Sequence, residues 1–337
     1  MGYKLQKSDM QKVFDKLKEK YIIYAPKLFE GTGTFSDMNI VRYDNISNVE
    51  EIEFEKKSDY SFKEAILPIT QILFYFTEEE IKEAHIERNK GAIIFLRSCD
   101  LHAVKRLDQI YLKNGFEDYY YKRLRENIKF VLIGCEKSFE NCFCVSMNSN
   151  KTEEYNFAVN YRKDYFEIDS EDDEFDSLFN SYEKLEVIPD YVKENNIKVK
   201  VPDNLTLDIY KSSMWDEYDS RCINCGRCNF VCPTCSCFTM QDIYYKENEN
   251  VGERRRVWAS CQVDGYTDMA GGHSFRKKQG ERMRYKVMHK IHDFNKRFGY
   301  QMCVGCGRCD DACPQYISLS ECIEKVADVV LVKEEAK

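Results

Sequence analysis

The sequence predicts an α+β protein in two parts. A mixed α/β domain over residues 1–205 carries a cysteine-rich group of loops, and a mainly helical domain with a long insert follows over 206–337. Three observations carry this expectation. Short apolar runs of strand length alternate with amphipathic stretches through the first part, the order that builds strand–helix–strand units. One cysteine pattern occurs twice towards the end of the chain. Between Cys232 and Cys303 lie 70 residues, far more than a tight repeat needs. With 337 residues there is chain enough for two cores of ordinary size.

Taken in order, the spacing of apolar residues predicts a helix over 8–20, short strands, and a helix around 77–89. A buried strand over 92–96 leads into the loop Arg97-Ser98-Cys99-Asp100 and a helix over 101–112. A second apolar strand, 130–133, ends at Gly134-Cys135. Strand–helix–strand order of this kind suggests a parallel crossover, whose functional loops lie at the carboxyl ends of the strands. Cys99 and Cys135 are expected on two such loops. Residues 151–210 are polar and acidic, with the run 167–174 read as a solvated face or hairpin loop. Helical patterning resumes near Tyr191 and over 207–218.

Cys222, Cys225, Cys228 and Cys232 precede Pro233; Cys303, Cys306, Cys309 and Cys313 precede Pro314. The doubled C-x2-C-x2-C-x3-C-P run is the ligand pattern of bacterial ferredoxins. There, three close thiolates hold one [4Fe–4S] cluster and the fourth reaches the other. The crossed pattern assigns Cys222, Cys225, Cys228 and Cys313 to one cluster, and Cys303, Cys306, Cys309 and Cys232 to the second. Gly226, Gly305 and Gly307 suit loops that need positive φ and close backbone approach. Both sites are then fully ligated, with no open iron for a substrate, so these clusters would conduct electrons rather than catalyse. A pair of structural zinc sites is the plainer alternative, and it does not ask for two identical runs. The long insert favours a helical two-[4Fe–4S] ferredoxin-like domain over the compact, strand-rich kind.

Eight further cysteines remain. Cys99, Cys135, Cys142 and Cys144 either hold a third [4Fe–4S] cluster or are buried free thiols, a common fate of cysteine. Cys235, Cys237 and Cys261 either tune a cluster or pack beneath it, and packing is the simpler reading; Cys322 reads as core. Arg254-Arg255-Arg256 and the nine Lys and Arg residues of 275–297 form a basic insert beside the second cysteine run. It reads as a solvated helix, or as a surface that docks an acidic partner or offsets cluster charge.

The net charge of −8 disfavours a nucleic-acid partner. The charged start lacks the apolar core of a signal peptide, and no apolar run has the length of a membrane span. A cytoplasmic, reducing location is expected. No phosphate-binding loop occurs, and Gly31-Thr32-Gly33 does not extend to a dinucleotide fingerprint. FAD is not predicted, and the sequence is silent on flavin sites that lack a short motif.

The ordered motifs Ser98-Cys99-Asp100-Leu101-His102-Ala103, Gly134-Cys135, Cys142-Phe143-Cys144-Val145-Ser146-Met147, Cys232-Pro233-Thr234-Cys235-Ser236-Cys237-Phe238 and Trp258-Ala259-Ser260-Cys261 resemble the family of iron–sulfur electron-transfer subunits of anaerobic sulfite reductase. The related beta subunits of archaeal sulfhydrogenases share the pattern. Ser98 stands where relatives often carry proline, a departure that touches no ligand. The resemblance implies an electron-transfer role with no catalytic residues in this chain. Its implied partners are a flavoprotein that oxidises NADH and a sirohaem protein that reduces sulfite to sulfide. It also favours the third cluster on Cys99, Cys135, Cys142 and Cys144. The alternative is the beta subunit of a hydrogenase or sulfhydrogenase. An iron–sulfur redox sensor or carrier is a further one, although neither a DNA-binding helix pair nor an incompletely ligated site is visible.

Overall fold

A computed structural model describes residues 2–33, 37–84, 90–170 and 172–335. The strands, in chain order, are β1 (Gly2–Gln6), β2 (Tyr21–Phe29), β3 (Ile40–Asn45), β4 (Thr70–Phe76), β5 (Ile81–Glu83), β6 (Gly91–Leu96) and β7 (Ile128–Ile133). They continue with β8 (Phe157–Tyr161), β9 (Tyr165–Ser170), β10 (Glu183–Leu185), β11 (Phe238–Tyr245), β12 (Asn248–Trp258) and a separate antiparallel pair, β13 (Asp268–Met269) and β14 (His273–Ser274). An eight-stranded sheet runs β10-β1-β9-β8-β7-β6-β2-β3, and a four-stranded sheet runs β11-β12-β4-β5. In the large sheet β2, β6, β7 and β8 are parallel neighbours, and the strands outside them pair antiparallel.

The parallel centre follows from its composition. β6 (GAIIFL) and β7 (IKFVLI) are nearly continuous apolar runs, as strands covered on both faces must be. The helix Lys7–Lys20 lays Met10, Val13, Phe14 and Leu17 into the core formed with Phe95, Val131 and Phe157. Phe14 and Phe95 meet at 5.5 Å between ring centroids. Burying each such side chain stabilises the fold by roughly 1.5–3 kcal/mol.

The chain divides into two compact units. The first comprises 1–136, 152–191 and 236–258; the second comprises 137–151, 192–235 and 259–337. A single boundary between 1–205 and 206–337 therefore does not describe the chain. Hydrogen bonding explains the difference. Residues 137–151 bond to the second cysteine loop, through Phe143 N–H to Gly305 O (2.8 Å) and Ser149 Oγ to Val304 O (2.6 Å). The hairpin β11–β12, drawn from the insert, extends the sheet of β4, with Gly252 opposite Phe76.

Other local expectations change as well. Residues 77–80 form a tight turn rather than a helix: Thr77 Oγ1 accepts from the N–H groups of Glu79 and Glu80, and β5 follows. The rest of the expected helix, 85–89, lies outside the described residues. Cys99 sits in the first turn of the helix Ser98–Leu112, not in a loop. Residues 186–200 around Tyr191 form no helix. The acidic run overlaps the second part of β9, whose Phe166 and Ile168 face the core. Its Glu167 pairs with Arg162, and its Asp169 accepts from Tyr155 Oη at 2.8 Å. Alternation, not net charge, decided that segment.

The second unit is mainly helical, with helices Glu217–Arg221, Gln279–Met288, Phe294–Phe298 and Leu319–Glu335. Trp215, Tyr218, Met283, Val287, Ile323 and Val326 are among its core residues, and Cys322 joins them. The segment His289–Asp293 is a π turn. Within it, Lys290 O accepts from Met302 N–H (2.9 Å) and Cys303 N–H (3.4 Å), which ties this helix to the start of the second cysteine loop. Among the described residues no helix is long and apolar enough to cross a membrane.

Candidate metal centre

The two cysteine loops follow the same backbone path. At the third position of each run, Asn224 (φ 57°) and Gly305 (φ 62°) are left-handed; at the fifth, Gly226 (φ 74°) and Gly307 (φ 72°) are. Asparagine is among the few residues besides glycine that accept this region readily. A four-residue helix then follows each loop, Arg227–Phe230 and Arg308–Asp311. Such reversals let one short segment present three sulfurs to one side.

Cys222, Cys225, Cys228 and Cys313 line one cavity, together with Lys286 and Gln262. Ile317 N–H donates to Cys313 Sγ at 3.3 Å. Cys303, Cys306, Cys309 and Cys232 are all buried. Burial pushes the Cys309 thiol well up, and the negative charges of Asp310 and Cys232 add to the effect. Burial likewise raises Cys303, which also feels Cys232 and receives the Gly305 N–H at 3.4 Å. Cys228, raised first by burial, in turn lies within electrostatic reach of Cys313. Each fourth cysteine thus lies near the loop of the other run.

The donor set discriminates between the groups it could hold. A single zinc ion needs its thiolates within about 2.3 Å of one point. Among the described residues no three His, Cys, Asp or Glu side chains converge in that way. The sulfurs of the first set instead surround a cavity, and backbone N–H groups aim at one sulfur of each set. Soft thiolates spread around a cavity fit an iron–sulfur cluster.

The basic stretch is not a solvated helix throughout. Arg282, Lys286 and Lys290 recur every four residues and are 3%, 5% and 2% exposed. Lys290 Nζ donates to Thr234 Oγ1 at 2.9 Å and to Cys232 Sγ at 3.3 Å. Lys286 lies against the Cys228 sulfur. Burial disfavours its ammonium, but negative charge at Cys228 and Cys309 outweighs this and holds its pKa well above the ordinary value. Burial opposes Lys290 too, and Cys232, Cys235 and Cys303 raise it overall. Arg282 is paired with Asp264. Residues such as Lys277, Lys278, Lys296 and Arg297 carry the part of the stretch that a docking role could use.

Sequence reasoning registered this stretch as basic without separating its faces. The four-residue recurrence, beside the apolar Met283, Val287 and Ile291, was the signal that marks an inward stripe. Arg254, Arg255 and Arg256 also have structural partners, in Asp242, Glu253 and Asp118 respectively.

The four cysteines expected to form a third group are divided between the units. Cys99 and Cys135 belong to the first, Cys142 and Cys144 to the second. Cys142 Sγ donates to Cys306 O at 3.5 Å. Asn195, missed in the sequence, accepts from Val145 N–H at 2.8 Å and lies 3.6 Å from Cys144 Sγ through its Nδ2. Of the remaining thiols, Cys235 and Cys261 are buried in the second unit, where Asn229 Nδ2 donates to Cys261 Sγ at 3.0 Å. Cys237 belongs to the first unit.

Comparison with known proteins supports the chemistry of the donor set. Residues 221–317 match the 4Fe-4S dicluster domain family. Over 349 aligned residues the chain is 29% identical to sulfhydrogenase 2 subunit beta of Pyrococcus furiosus, an alignment covering 96% of this chain and 98% of that protein. No solved structure matches the chain.

Proposed function

We infer that this chain, an iron–sulfur electron-transfer protein homologous to sulfhydrogenase beta subunits, serves as the beta-type electron-transfer component of a hydrogenase complex. The observation that carries the reading is the nearly full-length similarity to a sulfhydrogenase beta subunit, joined to the two fourfold thiol sets. That similarity favours the hydrogenase alternative over the sulfite reductase reading, which keeps the support of its ordered cysteine motifs.

In this reading Cys222, Cys225, Cys228 and Cys313 bind one [4Fe–4S] cluster, and Cys303, Cys306, Cys309 and Cys232 bind a second. Bound clusters supply one-electron storage. The chain's residues do the rest: the left-handed loop positions let each short segment gather three of its cysteines, and Met283, Ile317 and Leu319 help wall the first site. No side chain here is assigned to a substrate, so the reaction itself belongs to partner subunits.

The test is an anaerobic pull-down of the full chain from its native host. Recovery with a nickel–iron hydrogenase subunit is the expected result. Recovery with a sirohaem protein instead would overturn the hydrogenase reading in favour of sulfite reduction. The flavoprotein partner implied by the motif resemblance is proposed for the same complex.

The third cluster rests on the sequence pattern alone. If Cys142 and Cys144 contribute to it, replacing both by Ser lowers the iron content by about four per chain. Unchanged iron would assign these thiols to packing on the second loop.

A further inference from the structure

Two buried lysines have no role in ligating a cluster or in the implied reaction. A buried ammonium is costly unless it meets negative charge, yet Lys286 and Lys290 are 5% and 2% exposed. Among the described residues no carboxylate forms an ion pair with either. Lys290 Nζ reaches one neutral acceptor, Thr234 Oγ1 at 2.9 Å, and one sulfur, Cys232 Sγ at 3.3 Å. Thr234 is itself fully buried and its hydroxyl lies 3.4 Å from the same sulfur. Lys286 stands in the wall of the cavity formed by Cys222, Cys225, Cys228 and Cys313.

The backbone fixes these positions. Lys290 lies in the π turn, and its carbonyl accepts from Met302 and Cys303 at the head of the second loop. π turns cost regular helix geometry and often mark functional sites. Here the turn's carbonyl holds the head of the second loop while its ammonium meets the last cysteine of the first run.

We propose that Lys286 and Lys290 are potential-setting residues, two fixed positive charges, one beside each ligand set, that favour the reduced state of the clusters. The proposal rests on the cluster assignment given above. Lys290 contacts a ligand of the second cluster. Lys286 lines the cavity of the four cysteines assigned to the first. On reduction by dithionite each cluster gains one electron, [4Fe–4S]2+ becoming [4Fe–4S]1+. All four thiolates stay bound and no proton is required. The negative charge grows by one, and a nearby cation in a poorly polarisable interior stabilises that state.

EPR-monitored redox titration of the full chain, with dithionite and mediators under anaerobic conditions, tests this. Lys290→Met is expected to lower one midpoint potential, changing the reduced-to-oxidised ratio at fixed potential by about tenfold or more, which is about 59 mV for one electron. Lys286→Met is expected to lower the other. Lys286→Arg and Lys290→Arg, which keep the charge, should stay near the parent. Loaded Met variants with unshifted potentials would overturn the proposal. If a Met variant loses iron, rescue by the matching Arg variant supports a charge requirement. Iron loss in both Met variants that Arg does not rescue would overturn it, because shape and not charge would then be what the site needs. Iron content of the parent chain separates the two claims: a parent that binds no iron refutes the cluster assignment itself.

Discussion

Replacing Cys225 and Cys313 together is expected to remove about four iron atoms per chain, whereas replacing Cys225 and Cys232 together removes about eight. The first pair removes two ligands from one cluster. The second removes one ligand from each. A ligand set confined to each run predicts the opposite outcome, so the two double variants decide the assignment that the single ones leave open. The physical basis is the position of the fourth cysteines. Cys313 lines the cavity of Cys222, Cys225 and Cys228, and Cys232 acts electrostatically on Cys303 and Cys309. Anaerobic iron and acid-labile sulfide analysis reads the result; a reversed pattern would refute the crossing.

Gly307→Ala is the second large effect. Its φ is +72°, and a Cβ there would lie 2.2 Å from Asn141 O and 2.5 Å from Asn141 C. Gly305 is similar, with φ +62° and a Cβ position 2.5 Å from both Phe143 C and O. Backbone cannot swing aside as a side chain can. Conformational strain and collision together are expected to destabilise the second loop by about 2–4 kcal/mol. Gly226→Ala should cost less, about 1–2 kcal/mol, because its nearest obstacle at 2.8 Å is the end of a side chain, Val263 Cγ2. Anaerobic thermal melts should place the Gly307 and Gly305 variants well below the Gly226 variant, with several degrees between them. Equal melting of all three would contradict the packing of residues 137–151 on that loop.

Much of this was legible in the chain. Gly305 and Gly307 announced left-handed turns between cysteines, and the trailing prolines marked the end of each run. The apolar runs that became β6 and β7 read correctly as buried parallel strands, because nothing in them competes with burial. Legibility failed where partners lie far along the chain. Lys290 reads as a surface residue until Cys232, 58 positions away, is seen against it. The run 167–174 looks solvated by composition, yet in its first part Arg162 and Tyr155 satisfy Glu167 and Asp169 while Ile168 goes inward. The cysteines at 142 and 144 drew attention to a third site. Their stretch also packs on the second loop, through Cys142 Sγ to Cys306 O and Phe143 N–H to Gly305 O, and no spacing rule announces such a contact.

The path of the chain between its two units bears on how this protein can be inherited or rebuilt. Ferredoxin-like parts are usually pictured as cassettes, cut at one junction and moved whole. Here the unit that carries both cysteine runs is assembled from three stretches, 137–151, 192–235 and 259–337, with a hairpin of the other unit lodged in sequence between the second and third. A graft of residues 206–337 would leave behind Asn141, Phe143 and Ser149, which clasp Asp311, Gly305 and Val304. The two halves are interlaced by the covalent chain itself, so recombination at a single internal point breaks one of them.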